Sequence, residues 1–376
     1  MAKRLKMGMI GGGEGAFIGE VHRLAARIAG NIDLVAGALS STPEKSLRSG
    51  AALALDPKRI YPDYETMLKT EAQLPADERI EIVSIVTPNH MHSPQAKMAL
   101  DHGFNVICDK PLTSTLEDAI SLEKNATEKD LKFAVTYTYT GYPLVQEVKE
   151  IIRAGEIGTP RKVIVEYLQG WLSAPEEANG NKQAIWRSDP KKSGLGGALG
   201  DIGVHAANLV ETMLGQQIDS VAAYLNKVVP NRLLDDDGQV MLKMQSGIHG
   251  SMNFSQVAFG EENNLNIRIY GDKASIEWHQ MNPNELILKY QGKPAQKVTT
   301  GFSARTASAA ALTRTPGGHP EGYLEAFANI YQNFANDISG NGENHIYPRL
   351  SEGVRGMRFM QAAVDSNANS NTWTKI

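Results

Sequence analysis

The chain has 376 residues, 41% hydrophobic and 21% charged, with 38 Lys+Arg against 42 Asp+Glu and a net charge of −4. Its length fits two domains with full cores, and its composition excludes disorder, collagen and a disulfide scaffold. No basic patch suggests nucleic acid, no apolar run approaches the ~18 residues that span a bilayer, and the single cysteine, Cys108, cannot pair internally.

The basic start, Met1-Ala-Lys-Arg-Leu-Lys, lacks the apolar core of a signal peptide. We therefore expect a cytoplasmic protein with no nucleic-acid or membrane partner. Over residues 1–140, short apolar runs alternate with amphipathic stretches. The pattern predicts strand Lys6–Ile10, helix Phe17–Ala29, strand Leu34–Leu39, helices Ser46–Leu55 and Tyr64–Leu74, and strand Ile80–Val86. Helix Pro94–His102, strand Asn105–Cys108, helix Leu116–Lys129 and strand Phe133–Tyr139 follow. Apolar strands separated by helices read as a doubly wound parallel α/β sheet, covered on both faces.

The pattern changes over residues 141–376. A helix at Tyr142–Ala154 precedes strands at Lys162–Tyr167, Ser220–Asn226, Gln239–Met244, Ile248–Phe254, Leu265–Tyr270, Ala274–Trp278 and Leu286–Tyr290. Gln245-Ser-Gly247 and Tyr270-Gly-Asp-Lys273 read as hairpin connections, so this second domain is expected to be α+β with a large, mostly antiparallel sheet. Thr299–Gly318, rich in small residues, reads as a long loop. Helices at Glu321–Ser339 and Leu350–Asn367 close the chain, and they could pack back on the first domain.

Gly11-Gly-Gly13-Glu14-Gly-Ala16 fits G-x-G-x-x-G/A between the first strand and the first helix, the context in which that motif binds a dinucleotide. Gly11 permits the turn, Gly13 lets backbone approach a pyrophosphate, and Ala16 is small enough for helix to lie on strand. The helix N-terminus offers N–H groups to the anion. Asp33 stands at the wrong end of the second strand to hold a ribose. The right end reads Ser40-Ser41-Thr42, and Lys45 or Arg48 could reach a 2′-phosphate, so NAD is expected with NADP open. Thr87-Pro88-Asn89-His90-Met-His92 follows the central strand, where such sheets bind ligands. Asn89 can bond ribose or nicotinamide, while His92 either contacts the cofactor or bonds local backbone. The H-x-H spacing has no Cys or carboxylate partner, and no metal is expected.

Two further constellations carry proton chemistry. Lys110, in Cys108-Asp109-Lys110-Pro111, ends the next strand on the same edge. A nicotinamide cation beside it would lower its pKa, letting it share a proton with a substrate hydroxyl, although a surface lysine in a turn fits equally. In Gly200-Asp201-Ile-Gly-Val-His205 the two polar side chains lie four apart at the start of an apolar helix. A carboxylate there can orient an imidazole that accepts a proton. An N-cap and a core histidine are the competing reading.

Together the glycine turn, Thr87-Pro-Asn with His92, Asp109-Lys-Pro111 and Gly-Asp201-x-x-x-His205 resemble the glucose–fructose oxidoreductase/inositol dehydrogenase/MocA family over nearly the whole chain. Asp109 stands where that family more often has Glu. Gly-Ala-Phe-Ile-Gly19, Ala184-Ile-Trp-Arg-Ser-Asp189 and Gly318-His-Pro-Glu-Gly-Tyr323 resemble its branch containing levoglucosan dehydrogenase. The resemblance implies a Rossmann domain, a sheet domain whose open face commonly forms dimers or tetramers, and catalysis by Lys110 with Asp201 and His205. It further implies cofactor contacts from Glu14, Phe17, Ile18, Ser40, Ser41, Asp109, Trp186 and Arg187, and substrate contacts from Tyr137, Tyr139 and His319. The expected reaction is NAD(P)-dependent oxidation of a secondary hydroxyl, C3 included, of a sugar, glycoside or cyclic polyol. An NAD-dependent glycosidase working through transient C3 oxidation is the alternative.

Overall fold

The computed structural model describes residues 4–343 and 345–376, so the first three residues of the basic start lie outside it. The described residues form two compact units, 4–138 with 327–354, and 139–326 with 355–376.

The first unit contains β1 (Leu5–Gly11), α1 (Phe17–Ala29), β2 (Ile32–Ala38), α2 (Pro43–Ala52), α3 (Tyr64–Gln73) and β3 (Ile82–Val86). It continues with α4 (His92–Asp101), β4 (Asn105–Cys108), α5 (Leu116–Glu128) and β5 (Phe133–Val135). The strands form a parallel sheet in the order β2-β1-β3-β4-β5. Every residue of β3 is buried, as expected of a strand covered on both faces. Strand order reverses between β1 and β3, and such a reversal is where sheets of this kind bind ligands, beyond the carboxyl ends of the strands. The sequence expectation carried strand five to Tyr139, but β5 stops at Val135 and a 3-10 turn occupies Thr138–Gly141. Alternating Thr and Tyr mimic a strand, yet the amides of Tyr137 and Thr138 bond only two residues back, to Val135 and Thr136.

The second unit begins with α6 (Pro143–Arg153) and β6 (Pro160–Leu168), then the short helices α7 (Lys182–Arg187) and α8 (Pro190–Ser193). A π-turn at Leu199–Gly203 runs straight into α9 (Val204–Leu214). Strands β7 (Ile218–Asn226), β8 (Asp237–Met244), β9 (His249–Ser255), β10 (Asn264–Gly271), β11 (Ala274–His279), β12 (Glu285–Tyr290) and β13 (Gln296–Thr299) follow. The chain ends with α10 (Ala307–Leu312), α11 (Tyr323–Ile338), α12 (Leu350–Ala368) and β14 (Thr374–Lys375). The unit boundaries fall inside α11 and α12.

The nine-stranded sheet runs β13-β12-β11-β10-β6-β9-β8-β7-β14, antiparallel except where β6 pairs with β9. In β8 Gly238, Val240, Leu242 and Met244 are buried while Gln239, Met241 and Lys243 are exposed, so one face is covered and the other open. Helix α9 packs on β6 and against α6. The stretch read as one loop, Thr299–Gly318, holds α10. Thr306 caps that helix through the amide of Ala309, and the buried Glu147 carboxylate accepts from the amides of Arg305 and Thr306. That support is remote in sequence, which is why local periodicity missed it.

Candidate active site

In the first unit the glycine turn leaves β1 at Gly11, whose φ of +82° favours glycine. The close approach of helix to strand lies elsewhere than the motif suggests. A Cβ on Gly19 would sit 2.2 Å from the Gly12 Cα, so this pair, rather than Ala16, lets α1 lie on the strand. Gly13 is likewise tight against chain: a Cβ there would meet the Leu39 carbonyl at 2.5 Å and the Ser49 hydroxyl at 2.6 Å. The motif's spacing identifies the turn; Gly19 lies beyond its last position, and the neighbours that crowd Gly13 come from the end of β2 and from α2. Ala16 is the N-cap of α1 and supplies no side-chain cap, and Phe17 and Ile18 open the first turn. An uncapped helix N-terminus beside a glycine turn fits an anionic pyrophosphate.

The first unit also holds other residues expected to meet a cofactor. The Glu14 amide donates to Ser49 Oγ at 3.0 Å, and its carboxylate lies 3.7 Å from the exposed Arg48. Ser40 and the exposed Ser41 follow β2, and Ser40 Oγ accepts from the Thr42 amide. Asp33, at the other end of that strand, pairs with Arg4 at 2.8 Å. Thr87 Oγ1 donates to Gln95 at 2.7 Å, Asn89 is buried, and Pro88 caps the short turn between them. The buried His92 ring bridges two carbonyls, with Nε2 at 2.8 Å from Thr87 and Nδ1 at 2.9 Å from Pro111. It thereby ties the loop after β3 to the loop after β4. Burial lowers its pKa. Asp109 accepts from Thr136 Oγ1 at 2.7 Å and from the Lys110 amide at 3.0 Å, which fixes the backbone that presents Lys110. Tyr137 is buried, at 1% exposure.

In the second unit Asp201 is not an N-cap. It lies inside the π-turn, and His205 follows in α9. Asp201 Oδ2 accepts from Arg187 Nε at 3.1 Å and from Gln256 Nε2 at 2.8 Å. The Arg187 guanidinium is itself fixed, 4.2 Å above the Trp186 ring and 5.8 Å from that of Trp171, with Gln183 Oε1 at 2.7 Å. The buried His205 ring meets Tyr139 edge-on at 4.9 Å. Tyr139 and Tyr167 share a hydrogen bond between hydroxyls, and Tyr167 donates to Asn263 at 2.7 Å. Gln169 Nε2 donates to the same Asn263 oxygen at 2.7 Å. Burial pushes both phenols above their ordinary value, so they remain protonated.

A series of amides and phenols thus runs from one ion pair, groups able to donate to and accept from hydroxyls. Sequence reading missed Gln169, Trp171, Tyr167, Gln256 and Asn263, and the only available signal was polar residues at the ends of otherwise apolar strands. His319 is not brought to this cluster by any contact seen here. It is exposed, with Nδ1 3.2 Å from the Pro316 carbonyl of its own turn. Among the described residues no group of three or more metal-ligating side chains occurs.

Comparison with known proteins places this geometry. Residues 5–137 match the model of an oxidoreductase family with an NAD-binding Rossmann fold, and residues 145–277 match the GFO/IDH/MocA C-terminal domain. An uncharacterized oxidoreductase, YfiI, of Bacillus subtilis is 32% identical across 100% of this chain and 98% of its own. The structure of an inositol dehydrogenase homolog from Azotobacter vinelandii with NAD+ is 34% identical, covers 100% of this chain and 98% of that one, and superposes with a TM-score of 0.95. The same homolog was also solved with NADH and myo-inositol. Levoglucosan dehydrogenase of Pseudarthrobacter phenanthrenivorans is 28% identical over 78% of each chain.

Proposed function

The chain belongs to the GFO/IDH/MocA family of NAD-binding oxidoreductases, and from that premise we propose that it oxidises a secondary hydroxyl, C3 included, of a sugar, glycoside or cyclic polyol. The observation that carries the proposal is Asp201, held at one oxygen by two donors, four residues before an imidazole that packs against the Tyr139 ring. The relatives support it: the A. vinelandii homolog was solved with NADH and myo-inositol, and another relative is a levoglucosan dehydrogenase.

When bound, the dinucleotide accepts hydride at its nicotinamide. The turn from Gly11 to Ile18 and the α1 N-terminus would hold its pyrophosphate, and Ser40 and Ser41 would bond a ribose. Thr87, Pro88, Asn89 and His92 would line the edge beyond them. Lys110 or His205 would accept the proton of the substrate hydroxyl. Asp201 orients the imidazole and stabilises its protonated form, and Arg187 holds the Asp201 carboxylate in place. Tyr139, edge-on to His205, contacts the substrate. The protein contributes orientation and electrostatics, and the cofactor carries the redox change.

Purified protein with NAD or NADP and a panel of inositols, aldoses and glycosides should yield reduced cofactor with at least one compound. Lys110→Met, Asp201→Asn and His205→Phe should each lower turnover by at least about a hundredfold while NAD binding, titrated directly, stays within about twofold. A panel on which no compound is oxidised refutes the reading. Sugar released from an aryl glycoside with no net cofactor reduction replaces it with the glycosidase reaction.

A further inference from the structure

Asp235, on the connection between β7 and β8, is buried and has no part in the reaction described above. Its carboxylate straddles the chain entering the π-turn, Oδ1 accepting from the Gly197 amide at 2.9 Å and Oδ2 from the Leu199 amide at 2.7 Å. Its main-chain carbonyl takes the amide between them, that of Ala198, at 2.8 Å. The Gly197 carbonyl in turn accepts from the Asp201 amide at 2.9 Å. Gly197 must be glycine here, since a Cβ would lie 2.1 Å from the Asp235 carbonyl oxygen. One residue therefore holds three successive amides, two positions before the proposed catalytic carboxylate.

The support is itself anchored. Asp236 accepts from the amides of Val228 and Val229 and from Arg232 at 3.0 Å, and Arg232 also reaches Glu177 and the Ala174 carbonyl. Both Asp235 oxygens serve as acceptors, a demand that asparagine, with one acceptor, cannot meet.

We propose that Asp235 is a positioning residue for Asp201 and His205, acting through the backbone of residues 197–199. The proposal rests on the reading of those two side chains as catalytic. Asp236 is the charged group facing Asp235, while residues 196–199 present backbone amides. Burial, with Asp236 adding in the same direction, pushes the Asp235 carboxyl up to about 6. The grip is thus strongest above that pH and weakens below it.

Asp235→Asn turns one acceptor into a donor aimed at an N–H group. We expect kcat to fall about tenfold, with the NAD dissociation constant unchanged. The ratio of wild-type to variant kcat should be flat above pH 7 and shrink as pH falls through about 6, because the wild type then loses the same charge. Unchanged kcat, or a ratio independent of pH, overturns the proposal, whereas loss of wild-type turnover on every substrate would overturn the functional reading instead. If the variant does not fold, hydrogen exchange in the wild type decides. After correction for intrinsic rates, the amides of Gly197 and Leu199 should lose protection below about pH 6, and unchanged protection refutes the role.

Discussion

Replacing Gly19 by alanine tests how the glycine turn works. A Cβ at Gly19 would stand 2.2 Å from the Gly12 Cα, 2.5 Å from its oxygen and 2.7 Å from its carbonyl carbon. Carbon atoms pack at about 3.5–4.0 Å, so α1 must retreat by more than about 1 Å at its first turn. All three obstacles are backbone, and no rotamer change relieves them. Overpacking of this kind costs about 1–3 kcal/mol, and a backbone clash belongs at the upper end. Alanine's better helix propensity returns at most about 1 kcal/mol, leaving a net loss of about 2 kcal/mol. For a unit of this size that corresponds to a melting temperature lower by roughly 4–8 °C. The displaced α1 N-terminus should also bind NAD about tenfold more weakly or worse. Thermal unfolding and a calorimetric NAD titration measure both. Gly322→Ala serves as the control, because a Cβ there meets Glu325 at an ordinary 3.7 Å. If Gly19→Ala keeps wild-type melting and NAD affinity, the close-approach reasoning is wrong.

Arg187→Met leaves the half-buried Asp201 with Gln256 as the remaining donor identified above. Losing a charge-assisted bond of about 1.5–3 kcal/mol should lower kcat/KM by one to two powers of ten while NAD affinity holds. A fall in NAD affinity with unchanged turnover would assign Arg187 to the cofactor instead. In the first unit, burial lowers the pKa of His22 to about 4, and its Nδ1 lies 2.7 Å from the Tyr331 hydroxyl. The folded state therefore favours the neutral ring. Its contribution to stability is present above pH 6.5 and is lost as pH falls from there toward 4, by about 3 kcal/mol in all. His22→Phe leaves Tyr331 bonded to Ser84 at 2.9 Å and should flatten that part of the stability–pH curve. A curve as steep as wild type would show that the loss arises elsewhere.

Much of the architecture was legible because it rests on local periodicity. Helix α1 and strand β4 run over the predicted residues, and the β8–β9 and β10–β11 hairpins form where Gly and Asp marked turns. The misses have different causes. Helix α10 depends on Glu147, about 160 residues earlier, and β13 is a short outer strand that pairs with β12. The first-unit edge was legible as a set of loops after successive parallel strands, since strand order places those loops together whatever their side chains do.

The amino-acid sequence alone determined where the glycine turn falls and which strands alternate, and it singled out Lys110, Asp201 and His205 as candidates for proton transfer. Those are properties of neighbours along the chain, carried by spacing and side-chain type. Only the tertiary structure decided that Gly19 meets Gly12, that Arg187 and Gln256 hold Asp201, and that Asp235 grips the turn beneath it. Hydrogen bonds and close packing act over about 3 Å in space without regard to separation along the chain, so no local pattern encodes their partners.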